Sequence, residues 1–89
     1  MLAAILVPVA ARISTISGKL NEMTEEQLRK HHEKYKHLIK WITKKSKASE
    51  IISQELLDKV QKQSLSRLRD ILLLDDEEAI IFIIVLSNL

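Results

Sequence analysis

The sequence predicts an all-α fold, a small bundle of four or five helices, and three observations carry that expectation. One Gly and one Pro leave almost no chemistry for tight hairpin turns, which disfavours an all-β chain. The apolar 46% of the sequence is almost entirely Leu, Ile, Val and Ala, with Phe82, Trp41 and Tyr35 as its lone Phe, Trp and Tyr. Such side chains suit helix-on-helix packing. Apolar residues also recur at steps of three and four along most of the chain. The 89 residues make a single domain, residues 1–89. At this size a fold buries only about 60–65% of its unfolded surface, so the core must be efficient or a partner must help.

Taken in order, residues 1–7 lead in as a flexible or interface-forming segment, and Pro8 suits the first turn of a helix, where its missing N–H costs nothing. Val9, Ile13, Ile16 and Leu20 then form an amphipathic stripe, with Gly18 expected to loosen or end that helix. The second start is sharper. Thr24 followed by Glu25, Glu26 and Gln27 reads as a capping box with acids at the positive helix end. From there Leu28, Tyr35, Leu38, Ile39 and Ile42 share one face, and Lys44, Lys45 and Lys47 set cations against the negative end. Leu28, Tyr35, Ile39 and Ile42 are expected to pack on the first and last helices.

Ser49 is a candidate N-cap for a third helix through Ile51, Ile52, Leu56, Leu57 and Val60. Ser64 or Ser66 can cap a continuation carrying Leu65, Leu68, Ile71 and Leu72, so residues 49–74 form one helix or two. Ile71 to Leu74 are apolar all round one helical turn. Asp75 to Glu78 read as the acidic first turn of a last segment that is apolar on every side. Periodicity does not separate a buried helix from a buried strand there; helix is preferred because no partner strand is evident.

Composition excludes several functions. With no cysteine there is no disulfide framework, thiolate nucleophile or Cys-based zinc site. The opening "MLAAILVPVAA" lacks a basic leader, and Arg12 follows the apolar stretch, which argues against a secretory signal. A bilayer helix needs about 20 apolar residues, more than either apolar end supplies, so no transmembrane span is expected. The expected location is intracellular, in the cytoplasm, or in the nucleus of a eukaryote. Charge is uneven along the chain. Residues 28–47 hold eight Lys/Arg against Glu33 alone, whereas residues 48–89 hold four basic side chains against eight acidic ones.

The stretch "KHHEKYKHLIKWITKKSK" concentrates the candidate chemistry. His32 and His37 resemble the ends of a zinc-protease motif but stand one residue too far apart. Five positions diverge by about 140° around a helix, so the two cannot share an ion. Glu33 and His37 have the better spacing but are too few for a zinc site. No metal and no cofactor are indicated. His31 falls within the apolar stripe and reads as a packing-boundary histidine, with a pH-sensitive interface as the minor reading. Arg29, Lys36, Lys40, Lys44 and Lys47 cover a broad polar face, while Lys30, Lys34 and Lys45 lie farther round with Trp41 among them. A solvated face is the plain reading of these lysines. Asp75, Asp76, Glu77 and Glu78 lack the spacing and turn glycine of a calcium loop. A single glycine allows no phosphate loop, and no catalytic residues are indicated.

The expected function is therefore a non-enzymatic protein–protein interaction module, a small adaptor, regulator or subunit that meets a protein partner or forms a homo-oligomer through aliphatic helix faces. The partner-binding candidates are Trp41, Lys40, Lys44, Lys45, Ile80, Ile81, Phe82, Ile84 and Val85. The alternative is a nucleic-acid-binding regulator using the basic helix 29–47, with Arg29, Lys36, Lys40, Trp41, Lys44 and Lys47 on phosphates and bases. No small-molecule substrate is indicated.

Overall fold

A computed structural model describes residues 9–45, 60 and 62–87. Among these residues the chain forms four helices and no strand: α1 (Val9–Glu22), α2 (Glu25–Lys45), α3 (Lys62–Leu72) and α4 (Asp76–Ser87). The fold is all-α, a small helical bundle. Pro8, the segment 1–7 and the expected third helix through residues 51–59 lie outside the described residues, as do Lys47 and Ser49.

Two boundaries follow the sequence closely. At the start of α2 the Gln27 N–H donates to Thr24 Oγ1 at 3.2 Å, while the Thr24 N–H donates to Gln27 Oε1 at 2.9 Å. At the start of α4 the Glu78 N–H donates to Asp75 Oδ1 at 2.8 Å, and the Asp75 N–H donates to Glu78 Oε1 at 3.4 Å. Each box satisfies two backbone donors that the first turn leaves free, and acidic first turns complement the dipole.

Four expectations are corrected. Gly18 neither loosens nor ends α1, which continues to Glu22 with no positive-φ glycine. Ser64 and Ser66 lie inside α3, which begins at Lys62. Ile71 to Leu74 are not one helical turn: α3 stops at Leu72, and Leu73 adopts a left-handed φ of 56°. That conformation sets Leu73 in solvent at 87% exposure and returns Leu74 to the core. Finally, α2 packs on the last helix, α4, as expected, but its other main neighbour is α3 rather than α1.

The last correction follows from α4. Ala79, Ile80, Ile81, Phe82, Ile83, Ile84 and Val85 are all buried, so the helix has no outward face. It packs against α1, α2 and α3, and α3 in turn packs against α1 and α2. Each fully buried aliphatic or aromatic side chain contributes about 1.5–3 kcal/mol relative to exposure. Ile13 and Leu20 of α1, Leu28, Ile39 and Ile42 of α2, and Leu68 of α3 close the core around it.

Polar contacts fix the position of α3 on α1. Ser64 Oγ donates to the Ser17 carbonyl at 2.8 Å, within the bundle. Farther along α3, the Arg67 guanidinium donates to the carbonyls of Leu20 at 2.6 Å, Asn21 at 2.8 Å and Met23. A cation thus meets carbonyls at the negative end of α1.

Glycine stands in α1 where φ is negative, whereas leucine stands where φ is positive. A Cβ built on Gly18 meets nothing within 4 Å. Gly18→Ala is therefore expected to raise the free energy of unfolding by about 0.5–1 kcal/mol through lost chain entropy. Leu73→Gly should raise it by a similar ~0.5–1 kcal/mol by removing left-handed strain. Urea unfolding of each variant checks both signs.

Candidate functional site

Among the described residues, two surfaces of α2 bear on function. The first lies toward its C-terminal end. Ile39 and Ile42 turn into the core, which directs Lys40, Trp41, Lys44 and Lys45 outward. Trp41 is 48% exposed, with the Lys45 ammonium 5.7 Å from the centre of its ring system. This is a cation–π distance, and the pair presents an apolar plate with a fixed positive charge beside it.

Ile80, Ile81, Phe82, Ile84 and Val85 are not surface groups in this structure. All five lie inside the bundle, Ile80 retaining 7% exposure and the others 2% or less. They supply core. Among the basic candidates, Arg29, Lys40 and Lys44 are exposed, while Lys36 is partly covered and binds Glu33 Oε1 at 2.9 Å. That contact, with the Lys36 charge, lowers the Glu33 pKa below the ordinary glutamate value.

The histidines are divided among different tasks. His32 turns inward and meets Phe82 edge-on, ring centres 5.9 Å apart. His31 stacks on Tyr35 with centroids 6.2 Å apart and planes inclined by 11°. Among the described residues no three His, Asp or Glu side chains converge as metal ligands, and no helix is long and apolar enough to cross a membrane.

The second surface was not anticipated from the sequence. It is a groove of about 590 Å³ where α1 and α2 diverge from their short connection. Ile16, Met23 and Leu86 give it an apolar floor, and the His31–Tyr35 pair forms a wall. A neighbouring recess of about 400 Å³ is lined by Gln27, Lys30, His31 and Lys34, so the two share Gln27 and His31. Lys34 bridges them further, its ammonium 5.3 Å from the Tyr35 ring centre.

Arg67 also escaped the sequence reading. The spacing from Ser64 to Arg67 puts both on one face of α3, which was a usable signal. Its partners are backbone carbonyls, which no side-chain pattern reveals. By holding the end of α1, Arg67 helps place Met23 in the lining of the groove.

Arg67→Met is expected to lower stability by about 1.5–3 kcal/mol, the range for hydrogen bonds from a charged donor. Urea unfolding measures it, and unchanged stability would remove Arg67 from the positioning of α1. Glu33 provides a pH test. Its lowered pKa means that its stabilising contribution is present above the unfolded-state value and disappears as pH falls through the folded-state value. A carboxyl-resolved titration should find Glu33 ionising below the ordinary glutamate range, with Lys36→Met moving it upward.

Compared with protein-family models, curated proteins and solved structures, the chain matches none.

Proposed function

We propose that this chain is a non-enzymatic protein–protein interaction module whose contact surface is the outward face of α2 around Trp41. The observation that supports the reading is the half-exposed indole beside Lys45, with Lys40 and Lys44 exposed on adjoining positions. Tryptophan is among the residues that most often carry binding energy at protein interfaces. Surrounding lysines suit a rim that steers an acidic partner and sets the salt dependence of association. The partner is accordingly a protein with an acidic border around an apolar recess. A cysteine-free chain is compatible with a reducing, intracellular setting.

This reading differs from association through aliphatic helix faces. The aliphatic mass of α4 is internal, leaving Trp41 as the large apolar group on the α2 surface. The nucleic-acid reading uses the same indole as a stacking platform. It is the weaker reading because Lys36, one of its cations, is engaged by Glu33.

The test compares proteins retained by the wild-type chain with those retained by Trp41→Ala and by Lys40→Glu with Lys44→Glu. Trp41 is the sole tryptophan, so its emission reports directly on cover by a partner. The expected result is a retained protein that blue-shifts Trp41 emission, survives nuclease treatment and falls at least about tenfold in affinity in either variant. Retention abolished by nuclease would transfer the surface to nucleic acid. Self-association seen in sedimentation, and lost in Trp41→Ala, would make the partner a second copy.

A further inference from the structure

We infer that the groove between α1 and α2 binds a small amphipathic anion, an aliphatic chain ending in a carboxylate. Its volume, about 590 Å³, falls within the usual range of small-molecule sites. Ile16, Met23 and Leu86 offer flexible and branched apolar surface to the chain, and Tyr35 offers a ring face. Methionine adapts its shape to such ligands more readily than branched residues do.

The charge pattern selects the head group. Lys19 and Glu22 both line the groove and offset each other in charge. Lys30 and Lys34 line the adjoining recess, where no acidic side chain among the described residues joins them. Gln27 and His31 belong to both compartments, so a chain lying on the apolar floor brings its head past them toward two ammonium groups. A neutral head would gain less from those ammonium groups than a carboxylate does, and a cationic head would be repelled. The site is independent of the Trp41 surface, since Trp41 lines neither compartment.

The test uses three probes with one tail: decanoate, decanol and decyltrimethylammonium, each kept below its micellar concentration and in low salt. Methyl and aromatic NMR signals of Met23, Leu86, His31 and Tyr35 are followed during titration. Decanoate should shift these signals saturably at one equivalent, while the cationic probe binds at least about tenfold more weakly. Lys30→Glu with Lys34→Glu changes exposed residues only; it should weaken decanoate about tenfold and leave decanol unchanged. Equal binding of both charged probes, shifts centred on Trp41, or no saturable shift would each overturn the assignment.

Discussion

The fold is organised by the requirement to surround α4. A helix that is apolar on every side has no direction in which exposure to water is acceptable. One neighbour would leave most of it wet, so α1, α2 and α3 are all placed against it. The order of packing follows. Although α1 and α2 are consecutive and joined at Met23 and Thr24, their main contacts are with α4 and α3. From α4, Leu86 lines the groove, and it is the half-buried member of the apolar run Ala79 to Leu86. The groove is therefore a geometric consequence of the central helix.

Hydrophobic burial supplies attraction without direction, so helix ends and register depend on polar contacts. Thr24 and Asp75 start two helices by reciprocal capping. Arg67 and Ser64 tie α3 to backbone carbonyls of α1 rather than to side chains. Carbonyl partners have a fixed position along a helix, which specifies register better than a mobile surface ion pair does. Ser17 illustrates the cost of close packing. Its carbonyl accepts from Ser64, while its own buried Oγ has no hydrogen-bond partner among the described residues. An unsatisfied buried hydroxyl costs about 1–3 kcal/mol, so this contact is favoured by its small size and backbone geometry rather than by its hydroxyl.

The features legible in the sequence were those encoded locally. Thr24 and Gln27 are three residues apart, and the box they form needs nothing beyond that spacing. The acidic start of α4 was visible for the same reason. Features that depend on long-range placement were not legible. Ile80 to Val85 read equally well as core or interface, because composition does not say how many helices will surround them. The carbonyl partners of Arg67 gave no signal in the sequence, because they belong to a helix distant along the chain. The groove draws on α1, α2 and α4 at once, so no single stretch announced it. Gly18 and Leu73 failed in the opposite direction. Residue type suggested a break at the first and a continuing helix at the second, whereas α1 runs through Gly18 and α3 ends before Leu73.

Among the described residues, the two exposed large apolar side chains have different meanings. Leu73 stands out because its left-handed backbone ends α3 and turns Leu74 inward, so its exposure has a local cause in the chain reversal. Trp41 sits in regular helix, where no backbone constraint requires an indole. A lysine or glutamate there would propagate α2 equally well and leave less apolar area in water. The Lys45 ammonium covers one side of the ring but is itself solvated, so it does not replace burial. With Ala79 to Val85 of α4 turned inward, Trp41 is the exposed apolar group among the described residues whose presence the fold itself does not require. That contrast is why binding is sought on α2 rather than on the longer aliphatic runs of the sequence.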